Sequence, residues 1–130
     1  MTTRSTALCL STVLMLAGGA DAQTARTGRL MREKLMHAQR LLGALATSDY
    51  TVLQRETLAL TRVTQSPAWN ELMTPELRPY TGDFTKALAA LAAASDRRDA
   101  DSAAASYNAM VTACLSCHKH VMGARIARAP

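Results

Sequence analysis

Apolar residues recur at helical spacing in four stretches of this chain, and nowhere do apolar and polar residues alternate as a half-buried strand requires. From about Arg26 to Ala46, Met31, Leu35, Ala38, Leu42 and Leu45 return at steps of four and three, which predicts a helix with one inward stripe. Ser48 or Asp49 offers an N-cap for a second helix, which Tyr50, Leu53, Ala59, Leu60 and Val63 carry toward Gln65 until Ser66-Pro67 stops it. Pro67 to Pro79 holds three prolines and reads as the long connection, with room for a short helical piece around Trp69 to Met73. A third helix is expected from Thr81 or Asp83 through Phe84, Leu88 and Leu91, where the alanines favour helix and permit close packing. After the polar break Asp96 to Asp99, a fourth helix follows with the stripe Ala103, Tyr107, Met110, Cys114, Cys117, Val121. Two short connections and one long one predict an all-α fold, an antiparallel up-down four-helix bundle. No repeated sequence unit supports an array of helical repeats instead.

The first 22 residues are read apart from that bundle. Met1 to Arg4 is short and basic, Ser5 to Ala17 is apolar and uncharged, and Ala20-Asp21-Ala22 has the small-x-small form of a cleavage site. The apolar run falls short of the roughly 20 residues that a spanning helix needs, so a secretory signal over 1–22 and a single domain over 23–130 are expected, with no membrane insertion after cleavage. Export predicts a periplasmic protein. It also leaves Cys114 and Cys117 as the mature cysteines, since Cys9 departs with the signal. The formal charge of +5 is spread along the helices, apart from a tail with Lys119, Arg125 and Arg128. On an exported protein such a surface reads as a solvated one rather than a nucleic-acid site, and it leaves room for an acidic protein partner.

Cys114, Cys117 and His118 carry the chemistry. On a helix that advances about 100° per residue, Cys117 and His118 lie roughly 60° to one side and 40° to the other of Cys114, so all three point into one sector. C-x-x-C-H is the haem c attachment signature: the two thiols add to the porphyrin vinyl groups and the adjacent imidazole coordinates iron. A thioredoxin-like pair would want a strand before a helix and a thiolate at a helix N-terminus. A structural zinc site would need a fourth donor, for which His120 and His37 are the candidates. No catalytic dyad or triad and no nucleotide-binding loop is present, so an enzyme is not expected.

A C-x-x-C-H near the C-terminal end of an exported four-helix chain resembles the class II c-type cytochromes, the cytochrome c-prime superfamily, and the resemblance covers essentially all of 23–130. It implies one covalent haem c held through Cys114 and Cys117, with His118 on iron, and a redox protein as partner. The family divides into low-spin members, in which a first-helix methionine is the sixth ligand, and five-coordinate members, in which a bulky apolar residue covers an open face and small gases such as NO or CO bind. In a bundle, the first helix runs beside the C-terminal half of the fourth, which makes Met31 the sixth-ligand candidate and a single-electron carrier the expected function. The neighbouring Leu30, four residues after Arg26, fits the five-coordinate pattern; the arginine that such members carry four residues past the haem histidine is here Met122. Leu35, Trp69, Phe84, Tyr107 and Met110 are expected around the haem, and Arg26, Arg29 or Lys34 either beside its propionates or on a solvated face. His37 points away from the stripe. The family forms monomers and homodimers, the latter often through helices one and two.

Overall fold

The computed structural model describes the backbone of residues 5–127 and the side chains of 19, 21–124 and 127, and within that span every regular element is a helix. The order is α1 (Ser5–Ala46), α2 (Tyr50–Gln65), α3 (Pro67–Leu72), α4 (Arg78–Asp96) and α5 (Ala100–Ala127). Most of the expected signal segment, and Arg125 and Arg128 of the basic tail, lie outside the described side chains. No described helix is long and apolar enough to cross a membrane.

Local chemistry sets the boundaries. The Asp49 carboxylate accepts the Val52 amide at 3.0 Å and caps α2, while the Ser66 hydroxyl accepts the Trp69 amide at 3.2 Å and caps α3. The short helix sits a little earlier than the sequence pattern suggested, because Pro67 is content in a first turn where no N–H partner is needed. The same logic moves the start of α4 back to Arg78, with Pro79 in its opening turn, rather than Thr81 or Asp83. The sharp reversals after α1 and α4 each place one residue, Ser48 and Arg98, in the left-handed region at φ 54°. Their hydrogen bonds close the helix ends: Asp49 N to Ala44 O and Ser48 N to Leu45 O, then Asp99 N to Ala94 O and Arg98 N to Ser95 O.

Leu41, Leu53, Leu60, Leu88, Leu91, Ala94, Ala103 and Met110 are each at most 2 % exposed and form one core shared by α1, α2, α4 and α5. Each such leucine contributes about 1.5–3 kcal/mol by leaving water. A second, smaller cluster of Leu30, Val63 and Trp69 joins α1, α2 and α3, with Met31, Leu72 and Met73 packed against it.

The phase of α1 differs from the expected stripe. Leu30, Leu41 and Ala44 are buried and His37 nearly so, whereas Leu35 is 57 % and Leu42 54 % exposed, a turn of about 110° about the helix axis. A polar contact accounts for it. Glu56 of α2 is buried, and His37 Nδ1 donates to its carboxylate at 2.6 Å, drawing the His37 face of α1 against α2. Arg55 adds bonds to the other oxygen at 2.9 and 3.0 Å, and Arg40 approaches to 3.8 Å. Burial works to raise the Glu56 carboxyl, but the hydrogen bonds from His37 and Arg55 and the charges of His37 and Arg40 prevail and hold it below the usual carboxylate range.

Candidate cofactor site between α1 and α5

Cys114 continues the inward line of Ala103, Tyr107 and Met110 along α5. Both Cys114 and Cys117 are free thiols and half-buried, and His118, one residue on, is exposed. Cys114 lies well inside a 28-residue helix, so neither thiol meets the N-terminal amides that activate a redox pair. Burial pushes both thiols up from their ordinary values, while the nearby Lys34 charge pulls the other way. Leu115 and Met122, each 56 % exposed, flank His118 on the side of α5 away from α4.

Across from the thiols stands α1. Tyr107 donates its hydroxyl to the Ala38 carbonyl at 3.1 Å, the tie between the two helices. Burial and the adjacent Cys114 raise the Tyr107 hydroxyl above its ordinary value. Beyond Ala38, on the flank away from α2, follow Met31, Leu42 and Leu35 within about 60° of rotation. The exposed Leu35 and Leu42 are therefore edges of the seam between α1 and α5 and do not line its floor. Met31 is half-buried beside Trp69, while Leu30 is committed to the contact with Val63 and Trp69.

The floor is aromatic and holds a cation. Lys34 Nζ sits 3.9 Å from the Phe84 ring centroid and 4.2 Å from that of Trp69, close enough to Cys114 and Cys117 to feel both thiols. Burial lowers the Lys34 pKa, and the two thiols oppose the shift. Among the described residues no carboxylate pairs with this ammonium. Trp69 is 4 % exposed, and its indole Nε1 has no hydrogen-bond partner among the described residues. An orphaned buried donor of that kind costs roughly 1–3 kcal/mol unless something accepts from it.

These residues fit a flat, largely apolar group anchored at one edge and carrying acidic substituents. Two thiols offer attachment, Trp69 and Phe84 a surface, and the indole N–H and the Lys34 ammonium two donors without a carboxylate. A metal ion held by side chains alone fits poorly. Among the described residues no three His, Cys, Asp or Glu converge, His37 is engaged by Glu56, and His120 stacks on Tyr80 with ring centroids 5.3 Å apart. Of the basic residues proposed around the group, Arg26 is drawn to Glu71 at 3.3 Å, Arg29 is exposed, and only Lys34 enters the site.

Sequence pattern brought Cys114, Cys117, Tyr107, Trp69, Phe84 and Met31 to this region, and it set Leu35 too deep. It missed the inward course of Lys34, although a lysine between Leu30 and Leu41 at steps of four and seven was the available signal. Compared with protein-family models, with curated proteins and with solved structures, the chain matches none.

Proposed function

We propose that the chain is an exported monohaem c-type cytochrome of class II that carries single electrons, with haem c joined to Cys114 and Cys117 and iron held between His118 and Met31. The observation that carries this reading is the placement of the C-x-x-C-H motif: two half-buried thiols and a free imidazole face a seam whose other bank presents Met31. The tie between Tyr107 and Ala38 gives the register. Seven residues along α5 from Tyr107 is Cys114, and seven back along α1 from Ala38 is Met31, about 10 Å in each case. The proximity of Lys34 to Cys114 and Cys117 supports the opposed running of α1 and α5, and the pairs His37 with Glu56 and Leu30 with Val63 support it for α1 and α2. An antiparallel four-helix bundle accommodates all of these pairs. The packing of Leu30 against Val63 and Trp69 favours Met31 over an apolar cap above an open iron face.

Bound haem supplies reversible one-electron chemistry, and a methionine opposite a histidine gives it a higher reduction potential than two histidines do. The chain's part is to fix the group, to keep water from the Met31 side by means of Trp69 and Phe84, and to leave the His118 side open. The surplus charge of +5 suits an acidic redox partner in the periplasm, with electron transfer that slows as salt rises.

The test is to produce the chain in a host that matures c-type cytochromes and to extract the denatured protein with acidified organic solvent. Pigment retained by the wild type, reduced when either cysteine is changed to Ala and lost when both are, supports the reading. A reduced spectrum of low-spin form that carbon monoxide leaves unchanged supports Met31 ligation. A colourless product, or pigment that extracts completely from the wild type, overturns the cytochrome reading.

A further inference from the structure

We propose that Lys34 is a second iron ligand carried by α1, placed to take the face opposite His118 whenever Met31 releases it. The inference rests on the haem reading above and concerns the same face of the group. Three observations bring it forward. The first is position: Lys34 follows Met31 by three residues, about 4.5 Å along the helix and 60° around it; Met31 packs against the cluster of Leu30, Val63 and Trp69, and the Lys34 ammonium lies 4.2 Å over the Trp69 ring.

The second is the lack of a carboxylate of the chain paired with it among the described residues. Lysines are seldom drawn inward without a carboxylate, and among the described residues this one meets the Trp69 and Phe84 rings and two thiols. Rings attract a cation by about 0.5–2 kcal/mol, a small return for desolvating it. The other nitrogen donor on this part of α1, His37, is bound by Glu56. Arg26 is paired with Glu71, and a guanidinium stays protonated and does not ligate.

The third is chemical. The groups facing Lys34 are Cys114 and Cys117 from α5, Trp69 from α3 and Phe84 from α4. Addition of each thiol S–H across a vinyl double bond converts it to a neutral thioether, so both groups that could have opposed the ammonium with negative charge cease to ionise. Burial lowers the pKa of such a lysine, and its neutral amine, once formed, is a nitrogen donor comparable to imidazole. The exchange balances simply: the iron–sulfur bond to Met31 breaks, the bond to the Lys34 nitrogen forms, one proton passes to solvent, and no electron moves.

The holoprotein carrying Met31→Ala tests the assignment by spin state, read by electron paramagnetic resonance and by carbon monoxide binding. The expected result is a low-spin, nitrogen-ligated iron that resists the gas, converted to high spin in Met31→Ala/Lys34→Ala. A Met31→Ala protein that is already high-spin, and that the second substitution leaves unchanged, overturns the proposal; this is also the outcome if Lys34 only pairs with propionates. Should Met31→Ala fail to fold, the wild type answers by alkaline titration. The sulfur-ligated signature then gives way to a nitrogen-ligated low-spin one, and Lys34→Ala abolishes that second form; titration curves that coincide overturn the assignment. Solvent extraction of the same samples separates the two readings: pigment lost from the wild type sinks the cytochrome, whereas pigment retained with a high-spin Met31→Ala sinks Lys34 alone.

Discussion

Replacing Glu56 by Gln keeps the shape of a buried side chain and removes its charge. In the native arrangement one carboxylate oxygen takes His37 Nδ1 at 2.6 Å and the other takes Arg55 at 2.9 and 3.0 Å. The His37 side chain is 12 % exposed, so that bond has the character of a buried, charge-assisted one, worth about 1.5–3 kcal/mol. The Arg55 side chain is 64 % exposed, and solvent reduces its share to about 0–1 kcal/mol. Gln still accepts one hydrogen bond, so the net loss at neutral pH is about 2 kcal/mol, or roughly 8–16 °C in Tm for a domain of this size. The assay is thermal unfolding followed by circular dichroism across pH. The folded carboxyl lies below its unfolded value of 4.5, so the stabilisation is present in full above that value and disappears as the pH falls through the folded pKa. The curves of the wild type and of the Glu56→Gln variant therefore converge in acid. Equal stability at neutral pH, or a gap that persists unchanged when the carboxyl is protonated, would refute the assignment of Glu56 as the residue that sets the phase of α1.

Two further changes probe the scaffold. Leu91→Ala empties a position that is fully buried where α1, α2, α4 and α5 meet and should cost about 2–5 kcal/mol in denaturant unfolding; a loss below about 1 kcal/mol would mean that the core closes over the gap. Tyr107→Phe removes only the tie to Ala38, whose carbonyl keeps its place in the helix ladder, so stability should fall by no more than about 1 kcal/mol. On the proposed haem reading, the same variant should broaden the iron-ligand signature, because the tie lies level with the Met31–Cys114 register; an unchanged spectrum would show that the register is held elsewhere.

The ends of helices were the most legible part of the sequence, since Asp49, Ser66 and Pro67 act through chemistry local to a few residues. The inner line of α5 was equally plain, because Ala103 and Tyr107 have polar or small neighbours and Met110 and Cys114 continue their line at steps of three and four. On α1 the pattern is ambiguous: Leu30 and Met31, Leu41 and Leu42, and Ala44 and Leu45 are adjacent pairs, so two stripes one residue apart fit equally well. The choice between them depends on a partner 19 residues away from His37, which no local period contains. Glu56 did carry a hint, standing between Leu53 and Leu60 on the buried face of α2. For the candidate site, the anchoring motif was readable as a motif, while the neighbours of Lys34 come from α3, α4 and α5 and exist only once these pack together.

The two tight reversals share one design fifty positions apart: Ser48-Asp49 and Arg98-Asp99 each combine a left-handed residue with an aspartate that caps the next helix. Each turn is closed by hydrogen bonds within a few residues, joining α1 to α2 and α4 to α5, and the proline-rich segment around α3 links the two pairs. The seam that holds Met31, Lys34 and Cys114 lies between the two pairs, where the Tyr107 hydroxyl on the Ala38 carbonyl ties α5 to α1. A change at either turn should therefore disturb one helix pair first and reach the seam only through the core that α1, α2, α4 and α5 share.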